Sequence, residues 1–207
     1  MPIVTRVAAG ASQDRLEKLI AERLKPGSDK AAIDVRIWQL FGEEWSVMYT
    51  DLSGFSRRVS EFGIIHFLQI ISESTRLFVP CIDDHDGILL KTEGDSMMVL
   101  FRSPMRAIEA AVAMQSAARA YNEDRPDAEK LLLCVGIGFG KVLRIGDHDV
   151  FGSEVNAASK LGEDTAKAWE ILVTDSAKNA VAGVSKFAFE PMEGAPPGAK
   201  AAFRLKY

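Results

Sequence analysis

The chain has 207 residues, of which 47% are hydrophobic and 26% are charged, and its formal net charge is −4 at pH 7. This size and balance predict one globular domain that can bury a core, with room for a short appended segment. The acidic balance argues against a general nucleic-acid binder. The absence of a long apolar run or an apolar N-terminal leader argues against a membrane span or a signal peptide. Cys81 and Cys134 both lie in apolar runs, which indicates buried thiols and a cytoplasmic, reducing location.

Two short amphipathic helices are predicted at the start of the chain. Apolar residues recur at helical spacing over residues 12–24, and a proline and a glycine at 26–27 end this helix. A second helical pattern covers residues 30–41. We expect residues 1–44, which carry no chemical motif, to form a packing or dimer-supporting extension of a catalytic domain over 45–207.

The remaining pattern predicts a split ferredoxin-like α+β fold. The order is strand, helix, strand, strand, helix, strand, in which the helices cover one face of a sheet. The elements are expected at 45–50, 55–79 with a break near Gly63, 87–91, 97–101, 104–121, and a strand pair at 131–138 and 141–145. A helix from 155, a strand at 171–174, a helix at 176–181 and closing strands at 187–189 and 202–205 follow.

The glycine-rich stretch at 136–141 is interpreted as the turn within the last strand pair of that core. It superficially suggests a nucleotide-binding loop, but it lacks the spacing of a P-loop. We therefore assign it no phosphate-binding role.

Two aspartates are placed for metal chemistry. Asp51 follows the first strand, and Asp95 lies at the tip of the next hairpin, and these elements are neighbours in such a sheet. Carboxylates suit Mg²⁺ or Mn²⁺, and two such metals can clamp the attacking and leaving oxygens of a phosphoryl displacement. Either aspartate alone would more simply be a turn residue or a helix cap.

The segment after Asp51 favours the metal interpretation. Leu52, Ser53, Gly54, Phe55 and Ser56 form a glycine-containing loop that opens a helix. Backbone N–H groups in such a loop and the positive end of the helix dipole can receive phosphate oxygens. A phosphate cradle is therefore expected beside the carboxylates.

At this point the motifs resemble those of the class III adenylate and guanylate cyclase catalytic domain. Residues 50–56 look like its first metal motif, and residues 91–95 look like its second, a lysine followed by two variable residues and Gly-Asp. Residues 135–138 and 149–159 resemble a strand before the dimerisation region and the segment that carries a base-reading acid and an asparagine. Residues 171–174 resemble the following strand, so the likeness covers most of the chain from about residue 45.

The resemblance implies a role for each matching residue. Asp51, Asp95 and the backbone carbonyl of Leu52 would hold two divalent metal ions, and Asn156 would belong to the catalytic site. Its implied substrate is ATP, cyclised to cyclic AMP and pyrophosphate.

The resemblance also assigns base recognition to Lys91 and Asp149. Adenine offers an acceptor at N1 and a donor at its 6-amino group, whereas lysine can only donate and ionised aspartate can only accept. Guanine presents the reverse pattern, and a mismatch costs about 1–3 kcal/mol for each unpaired group. ATP is therefore favoured over GTP.

Sites of this family are shared between two subunits, which implies a symmetric homodimer. One chain supplies the metals, and the other supplies the base-reading pair, the asparagine and a basic residue. Two positions depart from the pattern: Lys160 stands where the family has an arginine, and Glu193 stands where it often has a phosphate-binding lysine, with Lys200 as an alternative cation. Two hypotheses remain, an adenylate cyclase and a nucleotide-binding or dimerising regulatory module without turnover.

Overall fold

The computed structural model describes residues 10–54, 60–184 and 186–207, and these residues form the expected α+β fold. The helices are α1 (Ala11–Arg23), α2 (Lys30–Phe41), α3 (Ile64–Asp83), α4 (Pro104–Asn122), α5 (Ser153–Ser159) and α6 (Asp175–Ala180). A short 3₁₀ helix covers Asp127–Glu129, and a π-helical turn, Lys160–Thr165, continues α5. The strands are β1 (Gly42–Leu52), β2 (Ile88–Glu93), β3 (Ser96–Phe101), β4 (Leu133–Ile145), β5 (Asp149–Phe151), β6 (Ile171–Thr174), β7 (Ala188–Pro191) and β8 (Ala202–Lys206).

A single twisted sheet connects all of these strands. Its order is β2-β3-β1-β4-β6-β8-β7, with β5 paired to β4 beside this path. β1 lies near the middle and runs antiparallel to both β3 and β4, while β4 and β6 are parallel. The order β1-α3-β2-β3-α4-β4 is the predicted ferredoxin-like core, and the prediction of this fold class is confirmed.

The two faces of the sheet are covered differently because side chains alternate along each strand. On one face α3 and α4 bury the larger core, which includes Met48, Val99, Phe101, Ile108 and Met114. On the other face α5 packs on a smaller cluster around Trp45, Val47, Met98, Leu100 and Val155. Odd-numbered residues of β1, Asp51 among them, therefore belong to the face that carries α5.

β4 is one continuous strand, and the predicted turn at residues 136–141 was wrong. A Cβ atom on Gly138 would lie 2.5 Å from the backbone oxygen of Glu154, and one on Gly136 would lie 2.2 Å from that of Ala158. The glycines are therefore required for the close approach of α5 to the sheet. A single sequence shows the same residues as turn formers, because it does not show what lies above the strand.

The N-terminal helix pair packs against the far end of β4. Leu19, Ile33, Ile37 and Phe41 are buried together with Ile145. α2 leads directly into β1, which begins at residue 42, three residues before the predicted start. In the described ranges, no helix has the length and apolar character needed to cross a membrane.

Candidate active site

Asp51 and Asp95 meet at one edge of the sheet. Asp51 is the second-last residue of β1 and lies opposite Cys134 of β4. Asp95 lies in the two-residue turn between β2 and β3. The backbone N–H of Leu52 donates a hydrogen bond to Oδ2 of Asp95 at 3.2 Å. Gly94 adopts a φ of +61°, a left-handed conformation that tightens this turn at little cost. The hairpin thus delivers its carboxylate to the end of the central strand.

The two carboxyl groups perturb each other strongly. Partial burial, the charge of Asp95 and a hydrogen bond between the two groups raise the pKa of Asp51 to about 7. Burial also raises the pKa of Asp95, against hydrogen bonds that favour its charged form. Two adjacent carboxylates that are partly buried from solvent repel each other, and a divalent cation relieves that repulsion.

The donor set at this edge fits Mg²⁺ or Mn²⁺. Both are hard cations that take one or two carboxylates and complete their shell with water and substrate phosphates. Among the residues that the structure describes, no group of three or more His, Cys, Asp or Glu side chains could hold a metal ion. The remaining ligands would therefore come from backbone oxygens, water and a bound polyphosphate.

The raised pKa of Asp51 predicts a pH-dependent stability of the metal-free protein. Because the folded pKa is about 7 and the ordinary value is 3.8, the folded chain holds more protons than the unfolded chain between these values. Its stability therefore falls as pH rises through that window. We expect Asp51→Asn to raise the melting temperature at pH 8 by a few degrees, and to change it little at pH 4.

Thermal unfolding in the presence of a chelator measures this difference. Asp147→Asn is the matched control, since Asp147 is an exposed turn residue that pairs with Arg144 at 2.7 Å. An Asp51→Asn protein that melts at or below the wild-type temperature at pH 8 would contradict the repulsion between the two carboxylates.

Lys91 and Asp149, 58 residues apart in sequence, lie side by side. The Nζ atom of Lys91 is 3.3 Å from Oδ1 and 3.4 Å from Oδ2 of Asp149, and 3.1 Å from Oε1 of Glu93. Burial works to lower the pKa of Lys91, but the carboxylates of Glu93 and Asp149 outweigh it and raise the pKa. A shift of register between Leu89 and Lys91 marks an irregularity in β2 just before the lysine. The pair presents a donor and an acceptor next to each other.

Asn156 projects from the exposed side of α5, and Lys160, four residues later, begins the π-helical turn that continues this helix and is also exposed. The side-chain amide of Asn156 donates to the backbone oxygen of Pro197 at 2.9 Å. The Nζ atom of Lys160 pairs with Oδ2 of Asp164 at 2.6 Å, and both side chains are about half exposed. Both groups are therefore accessible, and each has a partner in its own chain. Exchanging those exposed contacts for a substrate costs little.

The predicted phosphate loop is described only in part. The N–H of Ser53 donates to the backbone oxygen of Leu132 at 2.8 Å, and Gly54 has a φ of +77°, so the chain turns sharply after β1. Phe55 and Ser56 lie outside the described residues. The phosphate cradle stays a prediction.

The structure adds two features that the sequence did not single out. Glu154 is buried, and its Oε2 atom accepts hydrogen bonds from the N–H of Phe139 at 3.1 Å and from the hydroxyl of Thr174 at 2.7 Å. It ties the start of α5 to β4 and β6 and so positions the helix that carries Asn156. The second feature is the π-helical turn after α5, and such turns are frequent at functional sites.

Glu193 and Lys200 are both exposed in the segment that follows β7. Glu193 lines a small cavity of about 210 Å³ together with Leu161 and Thr165, so this segment approaches the π-helical turn that follows α5. The backbone N–H of Lys200 donates to Asp175 at 3.0 Å. The segment thus borders the helix with the predicted catalytic residues.

The family model for the adenylate and guanylate cyclase catalytic domain matches residues 41–196. The chain belongs to this family, and the resemblance noted in its motifs is confirmed.

The relatives include proteins named as adenylate cyclases and a protein named as a kinase. The adenylate cyclase of Mycobacterium tuberculosis is 28% identical, over 80% of this chain and 40% of that protein. The serine/threonine-protein kinase pkn2 of Myxococcus xanthus is 30% identical over 131 residues, 63% of this chain and 16% of that protein. The putative adenylate cyclase 3 of Rhizobium meliloti is 29% identical, over 56% of this chain and 20% of that protein. The chain thus spans less than half the length of these relatives.

Solved structures of the same family share the fold. An adenylate/guanylate cyclase/hydrolase from Silicibacter pomeroyi superposes with a TM-score of 0.67 at 24% identity, over 79% of this chain and 95% of that one. The adenylyl cyclase CyaB from P. aeruginosa gives a TM-score of 0.65 at 18% identity, over 80% and 95% of the two chains.

Proposed function

We propose that this chain is an adenylate cyclase that converts ATP to 3′,5′-cyclic AMP and pyrophosphate. The observation that carries the proposal is the meeting of Asp51 and Asp95 at the end of the central strand, in a chain of the cyclase family. Two carboxylates that repel each other without a cation suit the binding of two Mg²⁺ or Mn²⁺ ions. The relatives named as adenylate cyclases support the choice of reaction.

The proposed reaction forms one bond and breaks another at the α-phosphorus. The ribose 3′-oxygen attacks, the bond from phosphorus to the bridging oxygen of pyrophosphate breaks, and the hydroxyl proton passes to water. The metals, when bound, favour the ionised 3′-oxygen and offset the charge that grows on the phosphate oxygens. Asp51 and Asp95 would hold the metals, with the backbone carbonyl of Leu52 as a further ligand. The amide of Asn156, which can donate and accept, orients the substrate.

The pairing of Lys91 with Asp149 supports recognition of adenine. Their polar atoms are 3.3–3.4 Å apart, which suits two neighbouring positions on one edge of a purine. Lysine donates to N1, and aspartate accepts from the 6-amino group. Guanine would set a carbonyl oxygen against the carboxylate.

The preference for ATP over GTP is expected to change when Lys91 and Asp149 are replaced. Lys91→Glu combined with Asp149→Cys removes both matches to adenine, so we expect ATP use to fall by about tenfold or more and the preference over GTP to disappear. Competition between ATP and GTP for binding measures the preference. Equal affinity of the wild type for the two nucleotides would remove adenine reading from Lys91 and Asp149.

We place the active site between two copies of the chain. The family commonly dimerises, and the exposed side chains of Asn156 on α5 and of Lys160 at the start of the π-helical turn lie where a second chain can meet them. A two-fold homodimer has two equivalent sites. The free thiols of Cys81 and Cys134 are compatible with a cytoplasmic, reducing location.

Lys160 is proposed to stabilise negative charge on the phosphate oxygens in the transition state. An arginine meets two oxygens with its planar fork, while a lysine provides one compact charge. We expect Lys160→Arg to raise the rate of cyclic AMP formation by up to about tenfold with little change in apparent ATP affinity. Lys160→Ala should lower the rate several-fold or more.

Steady-state kinetics on these two variants test the role of Lys160. An alanine variant as fast as the wild type would remove the side chain from the site. Glu193→Lys is an informative companion, because it would place a cation where the family often has one. If Glu193 approaches the phosphates, this change should lower the apparent KM for ATP.

A second candidate function is a nucleotide-binding regulatory module without turnover. The pairing of Lys160 with Asp164 and the acidic Glu193 favour it, because both reduce the positive charge available to a triphosphate. Incubation with ATP and Mn²⁺ separates the two functions. The cyclase produces cyclic AMP and pyrophosphate in equal amounts, whereas the regulatory module binds ATP and yields neither product.

A further inference from the structure

The segment that connects β7 to β8, residues 192–201, crosses the start of α5, and we call this segment the strap. Gly198 marks the crossing, since a Cβ atom on it would lie 2.2 Å from the backbone oxygen of Ser153, the first residue of α5. Its φ of +105° is in the left-handed region that favours glycine. A larger residue at this position would therefore push the strap away from the helix.

The strap is anchored on both sides of this crossing. At its beginning, the backbone N–H of Met192 donates to the backbone oxygen of Ala202 at 3.0 Å. At its end, Oδ1 of Asp175, the first residue of α6, accepts the backbone N–H groups of Lys200 at 3.0 Å and of Ala201 at 3.3 Å. The N–H of Asp175 donates in return to the backbone oxygen of Ala201 at 3.0 Å. These contacts fix the course of the strap over α5.

One carbonyl group of the strap holds the side chain of Asn156. Nδ2 of Asn156 donates to the backbone oxygen of Pro197 at 2.9 Å, although the two residues are 41 positions apart. Because a carbonyl oxygen only accepts, the amide nitrogen and not the amide oxygen must face the strap. The nitrogen carries two N–H groups, so this bond leaves one donor and the Oδ1 acceptor for a substrate. The strap thus selects one orientation of an exposed side chain that has several rotamers available.

We propose that Asp175 and Gly198 are positioning residues of the active site, which hold the strap so that Pro197 presents the amide of Asn156 in one orientation. This inference rests on the proposed role of Asn156 in orienting ATP. A group that is oriented before the substrate arrives lowers the cost of reaching the reactive geometry, and a misplacement of about 1 Å can cost about a hundredfold in rate. The strap acts through one hydrogen bond, so we expect a smaller loss, of about three- to tenfold in kcat.

The side-chain amide NMR signal of Asn156 in the full chain, without metal or nucleotide, reports the contact with the strap. Asn156→Ala identifies this signal by its loss. We expect Gly198→Ala and Asp175→Ala to shift the signal and to speed the exchange of its protons with water. Asp175→Asn keeps an oxygen that can accept both N–H groups of the strap, and it should leave the signal in its wild-type position. Gly194→Ala is the matched control, because Gly194 has a φ of +79° in the same strap but a Cβ atom there would meet nothing within 4 Å.

Steady-state kinetics with ATP and Mn²⁺ measure the consequence for turnover. Gly198→Ala and Asp175→Ala should lower kcat about three- to tenfold, while KM for ATP changes by less than about twofold, since the orientation of a bound substrate is lost and not its binding. Asp175→Asn and Gly194→Ala should turn over like the wild type. Thermal unfolding of each variant verifies that it is folded at the assay temperature.

The two measurements separate the role of the strap from the proposed function. If Gly198→Ala and Asp175→Ala leave the Asn156 signal in place, or shift it without lowering kcat, the positioning role is wrong and the cyclase stands. If Gly194→Ala lowers kcat as much as Gly198→Ala, the loss comes from strain within the strap and the positioning role is again wrong. If Asn156→Ala turns over like the wild type, or if the wild type forms no cyclic AMP, the proposed function fails at that point and the inference is overturned with it.

Discussion

Asp51→Asn and Asp95→Asn are each expected to remove almost all cyclic AMP formation. Each change deletes one negative charge and keeps nearly the same shape, so the metals lose a ligand while the sheet edge stays packed. Metal ions contribute several kcal/mol to a phosphoryl displacement, which corresponds to a rate loss of about a thousandfold or more. The measurement is cyclic AMP produced from ATP over a range of Mn²⁺ concentrations.

Two controls make this result specific to the site. Asp14→Asn changes an exposed aspartate that pairs with Lys18 on α1, and it should keep wild-type activity. Thermal unfolding should show that both site variants remain folded, and at pH 8 Asp51→Asn should be more stable than the metal-free wild type. Near-normal turnover by either site variant, with unchanged metal dependence, would exclude the two-metal assignment.

Mixing two inactive variants is expected to restore activity if the site is shared. In a heterodimer of Asp51→Asn with Asn156→Ala, one site combines both defects and the other combines the intact metal pair with the intact asparagine. Random exchange makes half of the dimers mixed, each with one good site, so we expect up to about a quarter of wild-type activity. The readout is cyclic AMP formation after the two purified variants have exchanged subunits.

The matched control combines two defects from the same side of the site. Asp51→Asn mixed with Asp95→Asn should stay inactive, because every mixed dimer retains one damaged metal ligand in each site. Subunit exchange is verified with differently tagged chains. No recovery in an exchanged mixture of Asp51→Asn and Asn156→Ala would place all site residues within one chain.

The positions of Asp51 and Asp95 were predictable because they depend on the order of neighbouring secondary-structure elements along the chain. A buried strand followed by a helix and a hairpin determines which ends meet, so Asp51 and Asp95 could be placed together before the sheet was known. The closeness of Lys91 and Asp149 was different: the two residues are 58 positions apart, and only the family resemblance brought them together. The structure supplies the distance that the motifs could not.

Other features depend on packing that a single sequence does not display. In the sequence, Gly136 and Gly138 resemble turn residues. The structure shows that a strand needs glycine at these positions because the backbone of α5 lies close above them. The π-helical turn has no sequence signature in a polar run, so its position after α5 could not be predicted. Glu154 lay inside the recognised motif, but its burial and its two hydrogen bonds became evident only from the tertiary structure.

A crystal structure of the protein with Mn²⁺ and an ATP analogue that cannot be cyclised tests the central claim most directly. Anomalous scattering locates the metals independently of the protein coordinates. We expect two Mn²⁺ ions about 3.5–4 Å apart at Asp51 and Asp95 of one protomer. We also expect the adenine ring at Lys91 and Asp149 of the other protomer. Manganese peaks away from both aspartates, or a nucleotide bound at a different edge of the sheet, would contradict this claim.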